Sequence, residues 1–299
     1  MGRFNKLTTT RVIDLPIEKR LQAYNRCLKL KKDGHGTIEI WRKLKKEGIE
    51  IKYETIRSWA RGTKKPERRL NTIKIIDDKL AYIIGIILGD GCFYKVIKNG
   101  SYTQGRVVLG VKEKELAEYF AHVSAYILGK KINHKVRWSK HQSVYIVEFC
   151  SKELVELLSK PLKELDNLIK ISPKHFLKGM YDAEGCISIK SQNKRLYPRI
   201  FLTNSDLKLI SYIKILLKDY GIKSNIQKNT SPGKDKIIKN RKTATRKTCY
   251  NLGIENIQGV KNFLRLIGFT INRKQKKLKK SIYLIDKYGT LGAFQRWEK

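Results

Sequence analysis

Acidic residues are scarce in this chain of 299 residues: 27 Asp and Glu stand against 65 Lys and Arg, a formal net charge of +38. Such an imbalance opposes compaction through self-repulsion, so a polyanionic partner is the natural explanation, and nucleic acid fits it best. Long hydrophobic runs are missing as well. None approaches the roughly 20 residues that span a bilayer, which leaves an anionic membrane surface as the only membrane role to weigh. The opening residues, MGRFNKLTTTRVIDLP, have no apolar core and do not read as a signal peptide. Cysteines are few and scattered: Cys27, Cys92, Cys150, Cys186 and Cys249 are odd in number and form no CxxC pair. That excludes a disulfide framework, and the five histidines do not fall at zinc-ligand spacing. The expectation is an intracellular, cytoplasmic protein with reduced thiols and no structural zinc, associated with the nucleoid if its host is prokaryotic.

What is present is globular. Hydrophobic residues make up 41% of the chain, and its length suffices for two or three domains with cores of their own. Residues 17 to 62 have a helical texture: Ile17–Lys32, a second helix after Thr37 with Ile38, Trp41 and Leu44 on one face, and a short helix over Tyr53–Arg61. Ile56, Trp59 and Ala60 form the inward stripe of the last, while Tyr53, Arg57 and Arg61 recur at i, i+4 and i+8 on another face. This resembles a helix-turn-helix module with Tyr53–Arg61 as the recognition helix. A basic linker, 63–76, follows, so residues 1–76 form one expected unit.

From residue 77 the chain repeats itself. The first copy, 77–171, opens with LAYIIGIILGDG (80–91), then strands near 92–98 and 105–111, a helix at 113–129, strands near 132–139 and 143–150, and a helix near 151–159. The second copy, 172–299, opens with FLKGMYDAEG (176–185), then strands near 186–191 and 197–203, a helix at 205–220, strands near 222–229 and 247–255, and a helix at 257–267. Both read αββαββα. A period near 90 residues is too long for a solenoid unit, so the expected fold is α+β, a duplicated domain with a pseudo-twofold axis.

Each copy begins with a helix that ends in a carboxylate and a glycine. Gly85 and Gly89 are four apart before Asp90-Gly91; Gly179 and Ala183 are four apart before Glu184-Gly185. Small residues at this spacing let two helix backbones approach closely, which is useful only if the two helices face each other. Asp78 can cap the first helix, and Ser172 followed by Pro173 starts the second. The pairing brings Asp90 and Glu184 together at the negative ends of two helix dipoles, an unfavourable arrangement that a divalent cation would offset. Phosphate oxygens and the backbone carbonyls of Gly89 and Ala183 could complete its shell. Two acids sharing metal over a phosphodiester is the logic of metal-assisted phosphoryl hydrolysis. Cys92 and Cys186, each two residues past an acid, read as small strand residues rather than nucleophiles.

Residues 83–91, IIGIILGDG, and 177–185, LKGMYDAEG, are similar to the two motifs of the double-motif, single-chain LAGLIDADG homing endonucleases, and the likeness to the archaeal members covers 77 to about 270. The resemblance implies two antiparallel sheets forming a DNA-binding saddle, and a monomeric endodeoxyribonuclease that needs no obligate protein partner. It also implies Mg²⁺, with Mn²⁺ able to substitute, and Asp90 and Glu184 as metal ligands. Its partner would be double-stranded DNA with a long, pseudo-asymmetric site. Asp182 holds the motif's earlier acidic position, which the family does not use in catalysis; Leu88 is its counterpart here. The resemblance further places basic or polar auxiliaries after the second strand of each repeat, where Lys112 and Asn204 stand; the Gln or Lys that relatives carry at the position of Val111 is absent. An RNA-binding maturase, or a DNA-binding regulator without cleavage, are the alternatives on the same scaffold.

DNA would lie on the polar face of the strands. In NHKVRW (133–138), His134, Val136 and Trp138 alternate with Lys135 and Arg137. With Lys95, Lys98, Arg106, Lys190 and Arg199 these are the expected strand contacts. Lys190 is too far along its strand to serve the acids. An insertion from Lys228 to Lys247 carries eight Lys or Arg, among them Lys228, Lys236, Arg241 and Arg246, and is expected to be a loop. Residues 271–280, INRKQKKLKK, add six basic residues to the same expected groove.

Overall fold

The computed structural model describes residues 17–64, 71–98, 100–230, 235–238, 241–244 and 247–297. The chain forms two compact units, Met1–Leu70 and Asn71–Lys299. The second begins earlier than the expected boundary at 76/77. Its leading stretch is tied in by backbone bonds, Lys74 N to the Ile127 carbonyl at 2.7 Å and Ile75 N to the same oxygen at 3.2 Å.

The first unit is three helices, α1 (Ile17–Lys32), α2 (Thr37–Lys46) and α3 (Tyr53–Ala60). Ala23, Cys27 and Leu30 of α1 close on Ile40, Leu44, Ile51, Ile56, Trp59 and Ala60. The inward face of α2 differs from expectation: Ile40 and Leu44 are buried, whereas Ile38 is 54% exposed. The Trp41 indole N–H donates to the Ile51 carbonyl at 2.9 Å, which holds α2 in that rotation. Thr37 is the first helical residue, and the N-cap is Gly36.

In the second unit the first repeat runs α4 (Asp78–Gly89), β1 (Gly91–Lys98), β2 (Ser101–Val111), α5 (Lys114–Ile127), β3 (Val136–Ser139), β4 (Val144–Cys150) and α6 (Lys152–Leu158). Helix α7 (Leu162–Ile171), not expected, leads to the second repeat. That comprises α8 (Pro173–Ala183), β5 (Gly185–Gln192), β6 (Arg195–Asn204), α9 (Leu207–Asp219), β7 (Asn225–Thr230), β8 (Asp235–Ile238), β9 (Arg241–Ala244), β10 (Cys249–Ile254) and α10 (Ile257–Leu266). The basic C-terminal stretch is a helix, α11 (Asn272–Trp297), interrupted at Gly289, whose φ of 63° only glycine adopts readily.

The two four-stranded antiparallel sheets have orders β1-β2-β4-β3 and β5-β6-β10-β7, the same topology twice, and the insertion expected as a loop carries the paired strands β8 and β9. Phe93 pairs with Val107 in one sheet and Ile187 with Ile200 in the other, so the registers correspond up to Val96, where the first sheet carries an irregularity that the second lacks. Alternation follows the pleat. Val107, Leu109 and Val111 are buried in the first sheet, as are Leu196, Ile200 and Leu202 in the second. One apolar core runs through both repeats and includes all of α4 from Leu80 to Ile87 except Gly85. Helix α11 covers the second sheet through Leu284, Ile285 and Ala293, which join Leu196 and Ile189. Among the described residues no helix is long and apolar enough to cross a membrane.

Candidate active site at the paired helix ends

Helices α4 and α8 touch backbone to backbone. A Cβ on Gly85 would lie 2.3 Å from the Phe176 carbonyl oxygen, and one on Gly179 would lie 2.3 Å from that of Tyr82. The two contacts are reciprocal, as a pseudo-twofold axis requires. Their N-termini differ in detail from expectation. Asp77, not Asp78, caps α4, accepting from Lys79 N at 2.9 Å. Asp78 instead pairs with His175 at 3.2 Å, and Ser172 stands at the N-cap of α8 with its hydroxyl 2.6 Å from His175 Nδ1 rather than on the backbone.

At the other end Asp90 and Glu184 are the C-caps of the two helices, with nearly the same backbone (φ −93°, ψ −5° and φ −92°, ψ −8°). Burial lifts the Asp90 carboxyl above the usual range, with Lys274 pulling it back and Glu113 adding to the rise. Asp90 is nevertheless exposed to water, so this is crowding by neighbouring protein rather than sealing. Glu184 is pushed up to about 7, by burial first and then by the Asp90 charge. The Asn204 amide donates to Glu184 Oε1 at 3.3 Å, and the same residue's Oδ1 accepts from Asp206 N at 2.9 Å, which fixes its orientation. Asp182 is buried elsewhere, on the helix interface, accepting from the Tyr82 hydroxyl at 2.9 Å and from Thr270 N at 2.8 Å. Among the described residues no three His, Cys, Asp or Glu side chains gather as a metal cluster.

The family model of the LAGLIDADG-like domain matches residues 173–268. An uncharacterized protein of Methanocaldococcus jannaschii is 30% identical over 274 residues, covering 90% of this chain and 96% of that one. Homing endonuclease I-DmoI of Desulfurococcus mucosus is 25% identical over 148 residues, 49% of this chain and 72% of its own. The solved structure of I-DmoI with DNA and Ca superposes with a TM-score of 0.51 at 21% identity, covering 68% of this chain and 98% of that one. The chain belongs to the LAGLIDADG family. Its two motifs are those that close on Asp90 and Glu184, and its fold is that of the LAGLIDADG meganucleases with N-terminal helices in addition.

Of the auxiliaries expected from the LAGLIDADG resemblance, Asn204 reaches Glu184, whereas Lys112 is exposed beyond the end of β2. A cation that acts on both carboxylates is Lys274, from α11. It is 9% exposed and donates to the carbonyls of Asp182 at 2.7 Å and Tyr181 at 3.3 Å. The basic run expected to line the groove thus turns part of itself inward, because Lys274 follows the apolar stripe that seats α11, with Leu278 and Ile282.

The strand residues divide by face. Arg106 and Arg199 occupy corresponding positions on β2 and β6, opposite the buried side, and Lys190 pairs with Tyr197 on that same open face. Arg106 and Arg137 both bind Glu148, at 2.5 and 3.3 Å, and Arg199 lies 3.6 Å from Glu255. Lys135 lies just before β3 and is exposed, while His134 stacks on Phe149 with centroids 4.2 Å apart. Two assignments change face. Lys95 lies two residues after Phe93 on the same face and pairs with Gly105, placing its ammonium over the Tyr102 ring at 5.6 Å. Lys228 pairs with Tyr250, whose ring packs on the core, so it too projects on the helix-bearing side. Lys98, Lys236 and Arg241 lie on strands, but their side chains, like Arg246 altogether, fall outside the described residues. In the N-terminal unit Tyr53 packs edge-on against Trp41 at 6.2 Å, Arg57 lies 3.7 Å from Glu54, and Arg61 is exposed.

Proposed function

We propose that this chain is a site-specific DNA endonuclease that hydrolyses one phosphodiester on each strand of a double-stranded target. The observation that carries it is the meeting of Asp90 and Glu184, like charges with raised pKa values, at the ends of two helices packed backbone to backbone. The donor set suits a hard divalent cation: two carboxylates, with the Gly89 and Ala183 carbonyls in the last helical turns. Mg²⁺, or Mn²⁺ in its place, would neutralise charge on the phosphate and favour the departing oxygen. In each hydrolysis a water oxygen bonds to phosphorus, one P–O ester bond breaks, and the water proton passes to the departing oxygen. Asn204 holds Glu184 in place for this, and Lys112, exposed just past the end of β2, is the basic auxiliary that would meet the phosphate. The open sheet faces, with Arg106, Lys135, Arg137, Lys190 and Arg199, read a long target that need not be palindromic, because the two repeats differ. Both acids are in one polypeptide, so a monomer suffices, and the helices of residues 17–60 hold flanking duplex through Tyr53, Arg57 and Arg61. The named function of the I-DmoI relative and the net charge of +38 support the same reading.

The test is to select duplexes that the full chain binds from a randomised pool, then incubate them with and without Mg²⁺ and map the ends. Paired, Mg²⁺-dependent breaks at fixed positions on opposite strands are expected. Bound duplexes that stay intact under Mg²⁺ and Mn²⁺ refute the proposal.

A further inference from the structure

The open face of the first sheet carries an acid, in a chain that has few to place. Glu148 stands on β4 opposite Val108 and holds an arginine from the strand on either side. Arg106 of β2 reaches its Oε1 at 2.5 Å, and Arg137 of β3 its Oε2 at 3.3 Å. The Glu148 side chain is 28% exposed and the arginines 39% and 55%, and ion pairs so wet add little to stability. On a surface turned toward phosphate a carboxylate also repels the partner. Neither stability nor bulk attraction accounts for Glu148, whereas the position of two guanidinium groups depends on it.

Arg106 has a counterpart in the second sheet. Leu109 faces Gly91 and Leu202 faces Gly185, the glycines after the two acids, and Arg106 and Arg199 each precede those leucines by three residues. Both arginines keep a buried Nε with no hydrogen-bond partner. An unmet donor at the same place in both sheets fits a group reserved for an acceptor that arrives with DNA. The acids that hold the two arginines are not equivalent. Glu255 follows Ile254, which faces Ile200, so it lies level with Arg199, 3.6 Å away. Glu148 lies two residues nearer Asp90 than Arg106 does, and its counterpart in the second sheet is Gly253, opposite Phe201. Two strand residues span about 7 Å, which is the rise of about two base pairs.

We propose that Glu148 is a positioning residue that sets sequence specificity. It draws Arg106 and Arg137 together as a guanine-reading pair in the first half-site, about one to two base pairs nearer the cuts than the guanine that Arg199 reads in the second. A carboxylate that engages one edge of each guanidinium withholds both from phosphate. The remaining N–H groups are left for base edges, where arginine selects O6 and N7 of guanine. Equivalent arginines then read unequal positions, which builds asymmetry of the target into a pseudo-symmetric fold. The inference rests on the DNA-binding part of the proposed function and not on cleavage.

The experiment selects duplexes from a randomised pool with the full chain in chelator, so that binding is read without cutting, and compares wild type with Glu148→Gln, Glu148→Ala and Arg106→Ala. Wild type should enrich guanine in both flanks, at distances from the footprint centre that differ by about one to two base pairs. Glu148→Gln should weaken the enrichment about fivefold or more in the nearer flank and leave the farther one within about twofold. Arg106→Ala should lose enrichment at the same position. Affinity of Glu148→Gln for a random duplex should rise severalfold, and its salt dependence should steepen by about 0.9 log units per log unit for each arginine released to a phosphate. A merely structural acid would not strengthen random binding. If Glu148→Ala lowers the melting midpoint, Glu148→Gln decides, since it keeps the shape and loses the charge. Equal distances in wild type, enrichment lost in both flanks or in neither, or random binding that does not rise overturns the proposal. A chain that shows these preferences and leaves its bound duplex intact under Mg²⁺ and Mn²⁺ overturns the nuclease reading alone.

Discussion

Gly85→Ala sets two effects of opposite sign against each other. Alanine is the better helix former by about 0.8–1 kcal/mol. Its Cβ, however, would stand 2.3 Å from the Phe176 carbonyl oxygen and 3.0 Å from Met180 N. Both are backbone atoms of α8, so no rotamer relieves the clash, and a C···O contact needs about 3.3 Å. The helices must part by about 1 Å within a core that spans both repeats. Overpacking of this kind costs about 1–3 kcal/mol, and the upper end applies because the obstacle is backbone. The net is a loss of about 2 kcal/mol, or about 4–8 °C in the melting midpoint for a unit the size of Asn71–Lys299. Scanning calorimetry of the full chain reads this directly. Gly110→Ala is the control, since its Cβ meets only Val144 Cγ2 at 3.7 Å, and its midpoint should not fall. Gly85→Ala with Gly179→Ala should cost less than the sum, because both demand the same opening. Cleavage per folded molecule should fall as well, since the opening separates Asp90 from Glu184. A Gly85→Ala protein that melts at or above wild type would refute the close approach and the axis built on it.

Asp90→Asn and Glu184→Gln should each lower cleavage by roughly 10²–10³ or more while duplex binding in gel shift survives; near wild-type cutting by both would dismiss the site. In the metal-free chain, Glu184 titrates at about 7 instead of its ordinary 4.5, so the folded state binds the extra proton. Stability is then greatest below pH 4.5 on this account and declines by about 2–3 kcal/mol as pH rises through about 7, a slope that urea titrations in chelator should find and Glu184→Gln should remove. Duplex affinity should drop by about 0.9 log units per log unit of salt for each phosphate neutralised, and a flat dependence would assign the charge of +38 to something else. Removing residues 1–70 should weaken binding and shorten the footprint on one flank without moving the cuts, and Arg57→Ala should relax preference only in that flank; shifted cuts would mean the N-terminal helices help build the centre.

The duplication was legible because its signal is local. Two apolar runs, each with small residues four apart and an acid-glycine close, specify paired helices whatever surrounds them. Strands followed from alternation, as in Arg199 against Ile200. Periodicity does not say which of two faces turns inward when both carry apolar residues, so spacing alone points to Ile38, whereas Ile40 is buried through the rotation that the Trp41–Ile51 hydrogen bond holds. Alternation also loses its phase near a bulge or a strand end. Lys95 adjoins the irregularity at Val96/Ile97 and Lys228 the one at Cys249/Tyr250. Lys274 was hidden by composition. Among six basic residues in ten it looks like solvated charge, and only the i, i+4, i+8 stripe of Lys274, Leu278 and Ile282 marks it as inward.

The Tyr82–Asp182 hydrogen bond has a bearing on how freely the two halves could trade places. Across the pseudo-twofold axis the counterparts of Tyr82 and Asp182 are Phe176 and Leu88, an apolar pair at the matching spot. A homodimer of first repeats would set each Tyr82 hydroxyl against Leu88, and a homodimer of second repeats would set each Asp182 against Phe176. Either assembly buries unpaired polar groups twice over, at about 1–3 kcal/mol each and more for a carboxylate. The halves are thus mutually obligate partners. Separately expressed, they should recombine as a heterodimer and reject their own kind, a lock-and-key asymmetry held in one hydroxyl and one acid on the helix interface.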